Sequence, residues 1–400
     1  MSSYDFTKIV RDVAASEGIQ DCKLELHAAS KKGDGYTGSV QAATLQGSNK
    51  KLDVVFKISH RDPKAHTTMP LQEIYTKEIL FYQTIAPALM QFQKEHHIKD
   101  PFHNLPAYYG HIDEPLHECI VLENLRERNF DVWDRKQMMN PGHLEVALKA
   151  FGKYHSTSMA MKVLDPDLFK KITAKLNSYN ILGEHAENAG MWKSVAQTVE
   201  KNEDIFDPIT EAHYLERVRH YRQNVSKFIL EVTNYHDQYD AILQGDCWCN
   251  NAMYQYEDMN NRLKPKDVKL LDWQLVKTGP VVMDVSYFFY SIASKETMDK
   301  LDYYLKIYHD SLSTHLKAFD LNADEVFPFD AFKSQWKRFA LFGLSMTVLL
   351  RQMMLLDSDE APDFTESSGF PEIRINKEKA ITYRQQIKEV LVHFVDREFI

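Results

Sequence analysis

A two-lobed α+β fold, with a small antiparallel sheet in front and a mainly helical body behind, is predicted by three features of the sequence. Short alternating segments separated by turn-forming stretches fill residues 22 to 58. Beyond Asn124 the apolar residues recur with helical spacing, and one hairpin, 241 to 275, interrupts those helices. Four hundred residues exceed one small core and suit two lobes.

The elements follow in order. Residues 5 to 17 read as a helix with Phe6, Ile9, Val10 and Val13 on one face. "CKLELHAAS", "GSVQAATLQ" and "LDVVFKIS" alternate and are broken by "KKGDGYTG" and "QGSNKK", so they read as antiparallel strands joined by turns. Helical spacing returns over 70 to 95, and a further strand pair is expected at "AYYGHID" and "ECIVLENL", 107 to 125. Helices are then expected at 142–162, 212–232, 295–319 and 329–356. The inserted hairpin pairs "NAMYQY" with "VKLLDWQLV" across the polar "EDMNNRLKPKD". This divides the chain into a front lobe (1–122), a hinge (123–126) and a rear lobe (127–400), with a cleft between lobes where ligand sites tend to lie.

Composition narrows the function. With 44% hydrophobic and 26% charged residues the chain has no disorder signature. Its formal net charge of −9 denies it the broad positive field that nucleic acid or an anionic membrane requires. Four cysteines make no disulfide framework, and Cys247-x-Cys249 has neither redox nor zinc spacing, so free thiols in a reducing compartment are expected. "MSSYDFTKIVRDV" has no apolar core, no secretory signal is read there, and a cytoplasmic protein is expected. The apolar run 339 to 356 contains Arg351 and Gln352 and follows Lys337-Arg338, which favours a buried core helix over a membrane span.

Five motifs carry chemistry. "GDGYTGSV" places Gly33, Gly35 and Gly38 in a G-x-G-x-x-G-x-V pattern. A strand rather than a helix follows it, which excludes the dinucleotide fingerprint and permits a glycine-rich hairpin over nucleotide phosphates. Lys57 ends an apolar strand, where an unpaired ammonium is costly to bury; the following helix offers Glu73 and Glu78 as partners, and Glu78 is preferred because the apolar face flanks it. Asp246 and Asn251 have the D-x-x-x-x-N spacing of a kinase catalytic loop, in which the aspartate accepts the proton of an attacking hydroxyl and the asparagine holds Mg²⁺. Asp272 ends the next strand, where a carboxylate is either a turn-capping group or a ligand, and its pairing with the loop through one hairpin favours a metal ligand. Asp284, near the start of an apolar helix, reads as an N-cap or a structural tie to the catalytic loop. Singly these signals are weak; their order on a matching background of strands and helices is specific. No G-x-S-x-G or H-E-x-x-H motif is present, and His96-His97 reads as a solvated helix end.

"ILQGDCWCNNAMYQY" followed by "LLDWQLVKTGPVVMDVSYFFYSIAS" resembles the ecdysteroid kinase-like family of insects, small-molecule kinases related to choline kinases and aminoglycoside phosphotransferases. The likeness covers nearly the whole chain and extends to "TKEILFYQTIAPAL", "IVLENL" and "ALKAFGKYHSTSMA". It implies a protein-kinase-like fold, with a nucleotide-binding front lobe and a catalytic and acceptor-binding rear lobe. It further implies Asp246 as catalytic base, Asn251 and Asp272 on Mg²⁺, and Lys57 with Glu78 positioning the phosphates of ATP. Gly33, Gly35, Tyr36 and Gly38 would cover those phosphates, and adenine would lie against the backbone of Glu123 to Leu125, whose side chains are expected to matter little. One residue departs from the family: Gln244 stands where its members usually carry histidine two residues before the aspartate, and glutamine keeps a donor and an acceptor there.

The reading is therefore an ATP- and Mg²⁺-dependent kinase acting on a hydroxyl of a largely apolar small molecule, an ecdysteroid or a xenobiotic alcohol or phenol. Trp248, Tyr179, Trp192 and Tyr287 are placed as acceptor-pocket liners. No nucleic-acid or membrane partner is expected. Two alternatives stand beside it: a catalytically silent nucleotide-binding pseudokinase acting as a partner module, and a choline- or aminoglycoside-type kinase, whose cationic acceptor calls for carboxylates at the pocket mouth.

Overall fold

The structure, a computed structural model, describes residues 4–29, 37–362 and 369–400. Five strands form the front sheet: β1 (Lys23–Ala29), β2 (Gly38–Gln46), β3 (Lys51–Ser59), β4 (Tyr108–Ile112) and β5 (Cys119–Glu123). All neighbours are antiparallel, in the order β1-β2-β3-β5-β4. Successive side chains on the central β3 alternate between the sheet's faces. Val54, Phe56 and Ile58 pack with Ile9 and Val13 of the helix Thr7–Ser16. Val55 and Lys57 take the opposite face, towards the main core and the cleft. Gly38 opens β2 opposite Ser59, and a Cβ there would lie 2.0 Å from the Ile58 carbonyl oxygen, so only glycine permits this approach. Gly33, Gly35 and Tyr36 lie outside the described residues.

The single helix expected over 70 to 95 is two, Leu71–Leu80 and Ala86–Glu95, joined by one π turn, Phe81–Ile85. Pro87 accounts for the widening: it returns no N–H to the ladder, and its ring crowds the carbonyl of Gln83.

The rear lobe is built on the long helices Pro141–Leu164, Ala212–Asn234, Leu301–Ala318 and Lys377–Asp396, the last of which the sequence reading passed over. The run expected at 329 to 356 is broken into Phe329–Phe339 and Leu341–Leu355, bent by 52°. The bend lets Gly343 press on the main chain of helix Val282–Ile292, where a Cβ would meet the Ser286 oxygen at 2.5 Å. All fifteen residues of Leu341–Leu355 are buried. Arg351 is among them, donating to the carbonyls of Tyr290 and Ala293 at 2.9 and 2.7 Å. Those carbonyls belong to the last turn and C-cap of Val282–Ile292, where a cation is stabilised. The apolar run is thus a core helix, and among the described residues no single helix is long and apolar enough to cross a membrane.

Two small sheets sit within the helices. β6 (Phe130–Val132), β8 (Ala252–Tyr256) and β9 (Pro265–Leu270) form one, with β8 in the middle; β7 (Ala241–Leu243) and β10 (Lys277–Gly279) pair as the other. The segment read as one strand, "VKLLDWQLV", is in fact the end of β9 and a loop leading to β10. Asp272 breaks it, because its φ of +62° lies in the left-handed region that no strand uses. Loops 244–251 and 271–276 are therefore each held at both ends, one leaving β7 for β8 and the other leaving β9 for β10.

Candidate active site

The two loops cross at Gly245. Its φ is +87°, and a Cβ would lie 2.4 Å from the Leu275 oxygen, so glycine is required both by conformation and by contact. Asp284, wholly buried in the first turn of Val282–Ile292, holds the crossing from below. Its carboxylate accepts the backbone N–H of Gln244 at 2.6 Å and of Gly245 at 3.0 Å, and His155 Nε2 lies 3.2 Å away. The tie to the loop is thus its observed role, and no bond to its own helix end is needed. Replacing Asp284 by alanine strands two buried N–H groups, each worth about 1–3 kcal/mol. Asp284→Ala is expected to lose roughly 2–5 kcal/mol of unfolding free energy by urea denaturation; an unchanged midpoint would refute the tie.

Gln244 uses both ends of its amide. Nε2 donates to the Leu271 oxygen at 2.5 Å and to the Asp246 oxygen at 3.3 Å, while Oε1 accepts from Cys247 Sγ at 2.7 Å. The glutamine thereby fastens the catalytic-type loop to the residue before Asp272.

Asp246 lies half-buried above this crossing. Oδ1 accepts the Tyr287 hydroxyl at 3.0 Å and Oδ2 accepts Gln274 Nε2 at 3.0 Å. Burial, and then the charge of Asp272, push its carboxyl up to about 6 against the pull of these two bonds. Tyr287 was expected to line an acceptor pocket; it is buried, and its hydroxyl is committed to Asp246 instead. Gln274 went unassigned in the sequence, where its place two residues after Asp272 was the available signal.

Lys57 meets Glu78 and Asp272 at once, with Nζ 2.6 Å from Glu78 Oε2 and 2.6 Å from Asp272 Oδ1. Burial opposes its charge, but the two carboxylates prevail and hold the ammonium above the ordinary lysine range. The Glu78 carboxyl is pushed up to about 7, chiefly by burial, with Lys57 opposing and Asp272 adding to the rise. Glu73 is exposed at the start of the same helix and takes no part. Trp273, next to Asp272, stacks on Phe81 of the π turn with ring centres 3.8 Å apart and planes 2° from parallel. The proline-induced turn therefore locks the helix that carries Glu78 to the loop that carries Asp272.

Asn251 gives its amide nitrogen to the Asp246 carbonyl at 2.9 Å, which leaves Oδ1 as its uncommitted end. Its own carbonyl accepts Leu271 N at 2.9 Å, so it is tied to the residue preceding Asp272. With Asp272 Oδ1 on Lys57, Oδ2 likewise makes no hydrogen bond among the described residues. Two hard oxygens on tied loops suit Mg²⁺, which takes one or two protein ligands and completes its shell with waters and phosphates. Among the described residues no group of three histidine, cysteine or acidic side chains could hold a metal, as a zinc centre would require.

Several side chains depart from expectation. Glu123 is not idle: Oε2 accepts Ala107 N at 3.1 Å and Oε1 pairs with Arg128 at 2.8 Å. Leu125 is buried with Phe130 and Met253. Both side chains brace the segment joining the sheet to the helical lobe. Trp192 has no exposed surface and Trp248 is buried in the same core, and neither lines the cavity that Tyr179 does. Tyr179 does line a cavity, with its hydroxyl 2.8 Å from His185 Nδ1. Cys22, Cys119, Cys247 and Cys249 are all free thiols.

The model of the ecdysteroid kinase-like family matches residues 32–321, almost three quarters of the sequence. The chain belongs to that family. Membership supports a small-molecule kinase with a small-molecule acceptor, and the sheet, the helix bearing Glu78 and the embedded hairpin make up the protein-kinase-like arrangement that the resemblance implies. No curated protein matches the chain. It is similar to a solved spectinomycin phosphotransferase in complex with ADP and spectinomycin, at 11% identity over 98% of this chain and 98% of that one, TM-score 0.41. It is similar also to an aminoglycoside 2′-phosphotransferase in a GDP complex, at 10% identity over 96% and 97%, TM-score 0.44. A glucosamine kinase in complex with glucosamine, ADP and inorganic phosphate is similar at 10% identity over 91% and 81%, TM-score 0.36.

Proposed function

We propose that this ecdysteroid kinase-like protein transfers the γ-phosphoryl group of ATP to a hydroxyl of a largely apolar small molecule, an ecdysteroid or a xenobiotic alcohol or phenol, in the cytoplasm. The observation that carries the reading is the Lys57 ammonium of β3 held 2.6 Å from both Glu78 of helix Leu71–Leu80 and Asp272, whose loop is tied to the one that presents Asp246. A lysine has three donors, and two of Lys57's are engaged, so the third is available to a phosphate oxygen. Asn251 Oδ1 and Asp272 would hold Mg²⁺, which would supply charge neutralisation on the phosphates of ATP.

Asp246 is the general base. Its carboxylate takes the proton of the acceptor hydroxyl while that oxygen bonds to the γ-phosphorus and the bridging oxygen leaves with ADP. Tyr287 and Gln274 fix the orientation of the carboxylate, one on each oxygen. The silent-partner reading rested on Gln244 alone, and that glutamine keeps the loop in order through both ends of its amide.

The test is ATP consumption with a panel of ecdysteroids, phenols and choline. Turnover of an ecdysteroid or a phenol is expected, with none of choline. Choline as the sole substrate would overturn the apolar-acceptor reading, and no consumption together with no Mg-ATP binding would leave the partner module ahead.

A further inference from the structure

Two lysines that the proposed chemistry does not use, Lys77 and Lys277, face one small cavity. Lys77 adjoins Glu78 on the helix Leu71–Leu80, and Lys277 begins β10, three residues after Gln274. The wall between them is completed by Asn177, Tyr179, Thr233 and His236. Both lysines are buried, at 7% and 8% exposure, in a chain whose net charge is −9. Neither has an acidic partner: among the described residues every ion pair involves other cations, and no carboxylate lines the cavity. Each ammonium makes one hydrogen bond, Lys77 to the Tyr179 carbonyl at 2.8 Å and Lys277 to the Thr233 carbonyl at 2.6 Å.

The Thr233 carbonyl lies in the last turn of helix Ala212–Asn234, so capping explains one donor of Lys277. It does not explain the rest. Three donors on each ammonium, less one bond each, leave four N–H groups among walls that carry no negative charge. Burial, and then the charge of Lys277, bring Lys77 down to about 8; burial brings Lys277 to about 8 against the fields of Asp240 and Asp284. Two buried cations in one cavity are costly unless an anion joins them.

We infer that the Lys77–Lys277 cavity is an oxyanion subsite beside the catalytic loops, taking a carboxylate, sulfate or phosphate group. The group is either a substituent of the acceptor or a free inorganic oxyanion. The subsite itself stands on the cavity and its lysines; only the choice between the two sources rests on the kinase reading.

Inorganic phosphate is titrated calorimetrically into the full chain at constant ionic strength, with and without saturating ADP. One saturable site, unaffected by ADP, is expected in the wild type. In Lys77→Met and in Lys277→Met, each of similar length and without the buried charge, the affinity is expected to fall by roughly tenfold or more. Equal affinity in the wild type and both variants overturns the subsite, as does phosphate binding that ADP abolishes and neither substitution alters. Circular dichroism confirms that each variant is folded, and if one is not, the other decides. To assign the source, phenols with and without a carboxylate are compared as acceptors. A KM advantage for the carboxylate that vanishes in Lys77→Met places the anion on the acceptor; phosphate binding without such an advantage makes it a free oxyanion. Failure of every acceptor to react counts against the kinase reading alone, because the phosphate titration is independent of it.

Discussion

Asp246→Asn is expected to lower turnover by about 10²- to 10⁴-fold, the range for loss of a positioned general base, while Mg-ATP binding is retained. The asparagine keeps the size of the side chain and one oxygen for Tyr287 or Gln274, but it cannot take a proton from the acceptor. The wild-type pH dependence should carry the same signature. The Asp246 carboxyl is held up to about 6 by burial and by Asp272, so below that pH the base is increasingly protonated and kcat/KM of the free enzyme should fall. In the variant this acidic limb should be lost. Steady-state kinetics from pH 5 to 8, with nucleotide affinity measured separately by calorimetry, check both halves. Full activity in the variant, or an acidic limb unchanged by the substitution, would remove Asp246 from the mechanism.

Lys57→Met is expected to cost about 3–5 kcal/mol of stability at pH 8 and clearly less at pH 5. The methionine fills a similar volume, so the loss is electrostatic: Glu78, with a side chain only 1% exposed, and Asp272 are left facing each other without a cation. Glu78 already titrates near 7, well above its ordinary 4.5, and losing the Lys57 charge moves it higher still. A carboxyl whose folded pKa exceeds its unfolded value binds more protons when folded, so it destabilises the protein as pH rises through that window. At pH 5 Glu78 is protonated and the strain is largely absent; at pH 8 it is fully present. Urea denaturation at the two pH values measures the difference. An equal loss at both would mean that packing, not charge, is what Lys57 contributes.

The Lys57 cluster also marks how far the sequence was legible. Lys57 could be read because a lysine ending an apolar strand demands a partner. Glu78 could be chosen over Glu73 because the apolar face of its helix surrounds it. Asp246 and Asn251 stood out by their spacing and Asp272 by its place at the end of an apolar strand, and the structure draws their two loops together. The role of Tyr287 could not: a tyrosine in "VSYFFY" satisfies a core helix equally well, and only the approach of Val282–Ile292 to the 244–251 loop turns its hydroxyl onto Asp246. Trp192 and Trp248 misled for the same reason in reverse, since an aromatic residue near a motif in sequence can still be wholly committed to packing. Local breaks escaped it likewise: the π turn before Pro87 interrupts a run that helical spacing alone presents as one helix, and the 52° bend at Ala340 has no residue signature and accompanies the fit of Gly343 against Ser286.

By itself, then, the sequence determined the division into a strand-rich front and a helical rear with an inserted hairpin, and the kinds of group that could handle phosphate, because alternation, helical spacing and loop spacing are properties of neighbours along the chain. Which carboxylates share Lys57, what clamps Asp246, and the meeting of Lys77 with Lys277 were decided only by the tertiary structure. Hydrogen bonds, burial and electric fields depend on distance in space, and folding brings together groups that no local pattern relates.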